Sequence, residues 1–189
     1  MEQKKLAVIF PGIGYHKDKP LLYYAARIAQ NCGYETISVE YCNMPEKIRG
    51  NTEMMRIAAE LACQQASEQL QSVNICDYNR ILLIGKSIGT IAAAKFAAEH
   101  PDHIKEIRYT PLESTFSFVP SVTGSCIAFL GTDDPWSDKN RITKEAAKQN
   151  IPLYLYPDCN HSLECHDVIR NIEYLREIMQ ITSDFIRKA

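Results

Sequence analysis

The sequence lacks the features that mark several special classes of protein. It has no long apolar run, no repeat and no low-complexity tract, and its 21 basic and 23 acidic residues leave a formal net charge of −2. So small a net charge gives no broad positive field to attract nucleic acid or an anionic membrane. The apolar run at residues 6–10 is too short for a signal-peptide core or a membrane span. We therefore expect a small-molecule ligand, with no nucleic acid and no membrane as partner.

The cysteines also lack a pattern. There are seven, an odd number, and no two of them form a C-x-x-C pair. Most fall within predicted strands and helices, which favours free thiols in a reducing cytoplasm over a disulfide scaffold. Cys159 and Cys165 flank His161, but their spacing matches no zinc-binding pattern. The sequence predicts a cytoplasmic protein with no metal site and no cofactor.

What the chain does contain is a regular alternation of short apolar runs and longer helical patterns. With 189 residues and 46% hydrophobic residues, it is long enough for one compact α/β domain spanning residues 1–189. Several apolar runs show no polar alternation, as expected for strands of a mainly parallel sheet with helices on both faces. The predicted strands are residues 5–10, 35–41, 80–84, 104–110, 126–130 and 152–156.

Helical periodicity occurs between these strands. Residues 54–62 carry apolar side chains at helical spacing after the possible caps Asn51 and Thr52. An alanine-rich helix follows Ser87, and a last helix is predicted over residues 163–187. Its predicted inward side chains are Val168, Ile169, Ile172, Leu175, Ile178 and Met179. Residues 42–51 and 111–124 are predicted to be loops.

The segment "IGKSIGT" at residues 84–90 fits two incompatible functions. Gly-Lys-Ser is how a phosphate-binding P-loop ends, but that motif requires a glycine at position 80, where this chain has Arg80. Residues 80–84 moreover form the most convincing central strand. The same letters fit G-x-S-x-G, a sharp turn between a strand and a helix that exposes a nucleophilic serine. Its two glycines avoid steric collisions, and the Ile88 N–H at the helix N-terminus could bind an oxyanion.

A nucleophilic serine needs a base and an acid. His161 lies in the loop after the sixth strand, whereas His166, the second choice, lies within or at the start of the last helix. Asp133 and Asp134 both follow the fifth strand and could orient the imidazole. Asp158 is a third candidate for the acid, and an Asp-Pro turn or a paired-carboxylate site are the other interpretations of this segment.

The order of these motifs resembles that of the α/β-hydrolase superfamily over nearly the whole chain. The matching segments are "FPGIG", "GKSIG", "GTDD" and "NHSLE", which place Ser, Asp and His in the order that this fold uses. The resemblance implies Asp134 as the acid, because the acid commonly follows a Gly-x-x-Asp pattern. It implies Ile13 as the second oxyanion donor, although the family's usual His-Gly is replaced by Pro11-Gly12.

The resemblance also implies an architecture and a group within the superfamily. The family's first two strands are missing, so the implied strand order is 2-1-3-4-5-6, a reduced α/β-hydrolase fold. Only residues 111–124 stand where a cap domain would be inserted, which implies a lidless site. The chain looks closest to small esterases of the dienelactone-hydrolase-like group.

We therefore predict a serine hydrolase that cleaves a small carboxylic ester or thioester, with Ser87 as nucleophile, His161 as base and Asp134 as acid. Other activities of the fold, such as a peptidase or an acyltransferase, and a non-catalytic binding module are the alternatives. Loop aromatic residues could shape an acyl pocket; they are Tyr15, Phe116, Phe118 and Trp136. Lys86 is predicted to point into solvent.

Overall fold

The computed structural model describes residues 4–100, 104–120 and 124–188. Its centre is a six-stranded sheet with the order β2-β1-β3-β4-β5-β6. Every pair of neighbouring strands in it is parallel. The strands are β1 (Lys5–Phe10), β2 (Glu35–Ser38), β3 (Arg80–Lys86), β4 (Ile104–Tyr109), β5 (Cys126–Gly131) and β6 (Leu153–Tyr156). The predicted strand order and parallel sheet are confirmed.

Five helices cover the sheet. They are α1 (Pro20–Asn31), α2 (Thr52–Leu70), α3 (Ile88–Glu99), α4 (Lys139–Lys148) and α5 (Val168–Arg187). A short 3-10 helix, Glu113–Ser117, lies inside the predicted loop that follows β4. The Asn51 side chain caps α2 by accepting the Met54 N–H, as the sequence suggested.

The two faces of the sheet carry separate apolar clusters because side chains alternate along each strand. Ala7, Ile9, Leu82 and Ile84 face α1 and α5, together with Phe129. On the other face of the sheet, residues of α2 and α3 pack against Leu6, Val8, Phe10, Ile81 and Leu83. Helix α4 covers β5 on this second face, through Ile142 and Ala146. The carboxyl ends of the parallel strands therefore meet at one edge, where loops bring distant residues together.

Three predicted element ends differ from the structure by two residues or more. Strand β3 continues to Lys86 and does not end at residue 84. Strand β2 ends at Ser38 and not at residue 41. Helix α5 begins at Val168 and not at residue 163, because Asp167 caps it there and accepts the N–H groups of Ile169 and Arg170.

The predicted inward face of the last helix was wrong in its first turns. Val168, Ile169 and Ile172 are 70%, 66% and 60% exposed, whereas Ile178 is fully buried. The helical period was correct, but α5 packs on the sheet only through its later turns.

Candidate active site

The turn between β3 and α3 holds Ser87 in a strained backbone conformation. Ser87 has φ 55° and ψ −124°, outside the regions that residues with a side chain normally occupy. The Ser87 N–H donates to the Tyr109 carbonyl at 3.0 Å, and the Thr90 hydroxyl donates to the Ser87 carbonyl at 2.6 Å. These bonds fix the turn, so the strain is supported by the neighbouring strand and by the first turn of α3.

The two glycines of the motif are required by close backbone contacts. A Cβ atom on Gly85 would lie 2.8 Å from the Thr90 Cα, and one on Gly89 would lie 2.2 Å from the Phe10 carbonyl oxygen. The segment "GKSIG" thus packs against α3 on one side and β1 on the other. This arrangement has the strand, sharp turn and helix of a nucleophile elbow, and β3, which runs into the turn, occupies the residues that a phosphate-binding loop would need.

Three side chains from three loops meet above this edge of the sheet. His161 Nε2 lies 2.7 Å from Ser87 Oγ, and His161 Nδ1 lies 2.7 Å and 2.9 Å from the two carboxylate oxygens of Asp134. The Asp134 carboxylate also accepts the Trp136 N–H at 2.9 Å. The distances and the direction of the chain of hydrogen bonds are those of a Ser-His-Asp triad.

The alternative acids and bases lie elsewhere. Asp133 is exposed and accepts a hydrogen bond from the Thr132 hydroxyl. Asp158 is exposed and lies 3.8 Å from Arg170. His166 is exposed, and the structure shows no contact of it with Ser87. Of the two adjacent aspartates, the structure brings only Asp134 to the imidazole.

The loops that carry the acid and the base are packed tightly together. The Asp133 N–H donates to the Cys159 carbonyl at 3.0 Å, and a Cβ on Gly131 would lie 2.1 Å from the same oxygen. The Asn160 side chain accepts the Ser162 N–H at 2.7 Å, which turns the chain around His161. The position of the imidazole is therefore set by backbone contacts as well as by Asp134.

Burial controls the protonation of the imidazole. Desolvation lowers the pKa of His161, the hydrogen bond with Asp134 opposes this, and the charge of Lys86 lowers the pKa further. At neutral pH the ring is therefore mainly neutral, with Nδ1–H donated to Asp134 and Nε2 free to accept the serine proton.

Two backbone N–H groups near Ser87 are available for an oxyanion. Within residues 4–100, 104–120 and 124–188, no backbone carbonyl pairs with the N–H of Ile88 or of Ile13. The loop that contains Ile13 packs directly on the elbow, since a Cβ on Gly12 would lie 3.3 Å from the Ser87 Cβ. A helix N-terminus and a glycine loop thus converge beside the hydroxyl, as an oxyanion hole requires.

A pocket of about 220 Å³ opens over these groups. Its lining comprises Gly12, Ile13, Gly14, Tyr15, Ile48, Met55, Lys86, Ser87, Ile88, Trp136, His161 and Ser162. Tyr15 and Trp136 were predicted for this pocket and line it. Phe116 is instead buried with core residues of β5 and α4, and Phe118 packs outside the pocket beside Leu112. Ile48 and Met55 lay in segments that the sequence did not connect with the site.

The prediction that Lys86 points into solvent was wrong. The side chain is only 1% exposed, and its Nζ lies 4.9 Å from the centroid of the Tyr15 ring. The physical reason is strand alternation: Lys86 continues the Leu82 and Ile84 face, which α1 and the Tyr15 loop cover. Burial lowers the pKa of this amine to about 7.

The sheet order, the elbow and the three converging side chains define the α/β-hydrolase fold. No protein-family model matches the chain, and no curated protein is significantly similar to it in sequence. Solved structures are similar over nearly the whole chain, and all those named below are less than 25% identical to it. The chain has the α/β-hydrolase fold. One of the similar structures is a member of this fold without a lid.

Three solved structures illustrate the likeness. Dienelactone hydrolase from Anabaena variabilis is 20% identical, with a TM-score of 0.69 and coverage of 98% of this chain and 87% of that one. A lidless α/β serine hydrolase from Xanthomonas campestris is 14% identical, with a TM-score of 0.70 and coverage of 98% and 82%. Est1E from Butyrivibrio proteoclasticus is 13% identical, with a TM-score of 0.70 and coverage of 100% and 89%.

Two kinds of feature are absent from the described residues. No helix there is both long and apolar enough to cross a bilayer. No three His, Cys, Asp or Glu side chains there are grouped so as to hold a metal ion.

Proposed function

We propose that this protein is a serine hydrolase that cleaves a small carboxylic ester or thioester through an acyl-enzyme on Ser87. The observation that carries the proposal is the continuous chain of hydrogen bonds from Ser87 Oγ through the His161 ring to Asp134. It lies at the carboxyl edge of the sheet, beneath an open pocket, where this fold places reacting groups.

In the acylation step, Ser87 Oγ attacks the carbonyl carbon while its proton passes to His161 Nε2. The resulting oxyanion is bound by the N–H groups of Ile88 and Ile13. Asp134 stabilises the imidazolium that forms. Collapse of the tetrahedral intermediate breaks the bond to the leaving group, which departs as an alcohol or thiol with the proton from His161.

In the deacylation step, water repeats the same chemistry. It gives one proton to His161 Nε2 as its oxygen attacks the acyl carbon, and the tetrahedral intermediate again uses the two N–H groups. Collapse returns the proton to Ser87 Oγ and releases a carboxylic acid. Water reaches the acyl carbon directly, because the pocket is open to solvent.

The size of the pocket supports a small acyl group. The volume of about 220 Å³ lies below the roughly 300–1,000 Å³ that is typical of sites for drug-sized ligands. Apolar side chains, including Ile13, Met55 and Trp136, provide much of its wall. This favours short acyl chains over long ones.

A fluorophosphonate probe tests the proposal, because it reacts only with an activated serine. We expect stoichiometric labelling of the wild type, loss of labelling in Ser87→Ala, and labelling retained in Ser162→Ala, the other serine that lines the pocket. Hydrolysis of p-nitrophenyl butanoate should follow the same pattern. A folded wild type that neither reacts with the probe nor hydrolyses short esters or thioesters would refute the proposal and favour a binding module.

A further inference from the structure

The amine of Lys86 lies in the wall of the candidate active site without a polar partner. Lys86 lines the same pocket as Ser87 and His161, although it is 1% exposed. Its Nζ lies 4.9 Å from the centroid of the Tyr15 ring, and within residues 4–100, 104–120 and 124–188 the structure shows no hydrogen bond or ion pair from Nζ to another residue. A buried ammonium group without an acceptor is costly, so a ligand oxygen at this position would be strongly favoured.

Other cations near the pocket are likewise without a carboxylate partner. Lys19 Nζ lies 5.3 Å from the Tyr15 ring centroid, and the Arg49 guanidinium lies 6.0 Å from the Trp136 ring centroid. Neither forms an ion pair with a described residue, unlike Lys17 on the same side of the molecule, which pairs with Glu40. Two further basic side chains therefore lie in the surroundings of the pocket, although neither of them lines it.

Asp134 carries the carboxylate whose charge acts on Lys86, and its oxygens already accept hydrogen bonds from other groups. Asp134 raises the pKa of the amine, against the larger effect of burial. Both of its oxygens, however, are bonded to His161, and one also accepts the Trp136 N–H. Asp134 therefore acts on Lys86 through its charge and not as a hydrogen-bond acceptor, which leaves the hydrogen-bonding capacity of the amine available to a bound molecule.

We propose that the pocket selects short acyl groups that end in a carboxylate, and that Lys86 binds this second carboxylate. The natural substrate class is then a monoester or monothioester of a short dicarboxylic acid, which rests on the proposed hydrolase function. We assign the second carboxylate to the acyl part, which stays attached to Ser87 in the pocket that Lys86 also lines. A succinyl group is one acyl group of this class.

The test compares two ethyl esters that differ in charge, ethyl hydrogen succinate and ethyl butanoate, followed by release of ethanol. For the wild type we expect a kcat/KM ratio of at least about ten in favour of the succinate ester, the size of effect expected for a charge-assisted hydrogen bond. In Lys86→Met the ratio should fall at least about ten-fold, and in Lys95→Met, a surface lysine of α3, it should not change. A purely structural defect in Lys86→Met would lower both rates alike and leave the ratio intact.

The ratio should also depend on pH in the wild type. Lys86 loses its proton as the pH rises through about 7, so the preference for the anionic ester should decline above that pH. The other charged or titratable groups that act on Lys86 or contact it are Lys19, Tyr15, Asp134 and His161. Burial raises the pKa of Tyr15 to about 12, and the titration of His161 affects both esters equally and cancels in the ratio.

The outcomes separate the two proposals. The role of Lys86 is overturned if the wild type hydrolyses both esters without a preference, or if the preference survives in Lys86→Met. Either result leaves the hydrolase function standing. Absence of hydrolysis of either ester, together with absence of fluorophosphonate labelling, overturns the hydrolase function and this inference with it. A preference lost in Lys86→Met and kept in Lys95→Met supports both.

Discussion

Replacement of Asp134 by asparagine should nearly abolish activity, and the same change at its neighbour Asp133 should not. The Asp134 side chain is 1% exposed and lies 2.7 Å and 2.9 Å from His161 Nδ1. An asparagine there can donate its NH₂ group to Nδ1, which stabilises the tautomer that carries the proton on Nε2. The ring then cannot accept the serine proton, and no negative charge stabilises the imidazolium.

We expect kcat/KM of Asp134→Asn to fall about 10³- to 10⁴-fold, which corresponds to roughly 4 to 5.5 kcal/mol of transition-state stabilisation. The assay is hydrolysis of p-nitrophenyl butanoate, supported by the rate of fluorophosphonate labelling. Asp133→Asn is the matched control, because Asp133 is exposed and adjacent in sequence. A loss of less than about ten-fold in Asp134→Asn, or a larger loss in Asp133→Asn, would show that the acid is assigned wrongly.

Two further predictions concern protonation and packing around His161. Burial lowers the pKa of His161 below 6.5, the ordinary value for a histidine, and the proposed mechanism needs the neutral ring. We therefore expect kcat/KM to fall only as the pH drops below 6.5. A midpoint at or above pH 6.5 would contradict this. Gly131→Ala should lower the melting temperature and nearly eliminate activity, because the added Cβ would lie 2.1 Å from the Cys159 carbonyl and must displace the His161 loop. Gly14→Ala, which meets no atom within 4 Å, is the control for the melting temperature; equal melting temperatures for the two variants would refute the argument.

The sequence predicted the sheet well, because buried parallel strands are short, apolar on both sides and interrupted by helices. Strands β1, β3 and β5 could be predicted from their local sequence, without information about long-range contacts. The ends of β2 and α5 were less predictable, since they depend on hydrogen bonds at the edge of the fold. Asp167, which fixes the start of α5, is one of several polar residues in that loop and is not distinguished by the hydrophobic pattern.

The candidate site could be predicted where a motif fixes the geometry locally. Gly85, Ser87 and Gly89 specify the elbow within five residues, and the loop after each later strand limited the choice of acid and base. The pattern of the residues alone did not separate Asp133 from Asp134; the resemblance favoured Asp134, and the structure brings Asp134 to His161. The lining residues Ile48 and Met55 were not predictable, because they come from a loop and helix that reach the site only through tertiary packing.

The error at Lys86 had a different cause. The predicted strand ended at residue 84 and left Lys86 in the turn, whereas β3 continues to Lys86 and its alternation places this residue on the same face as Leu82 and Ile84. The Tyr15 loop covers this face, so the Lys86 side chain is buried.

Burial of Lys86 and of His161 in one pocket has a consequence for the reaction. The charge of Lys86 lowers the pKa of His161, so it opposes the imidazolium that must form as Ser87 gives up its proton. A carboxylate bound at Lys86 would cancel this opposition at the moment of proton transfer, whereas a neutral acyl group would leave it in place. If the second carboxylate of the substrate binds as proposed, it acts on the chemical step as well as on binding. The preference for the anionic ester should then appear in kcat as well as in KM.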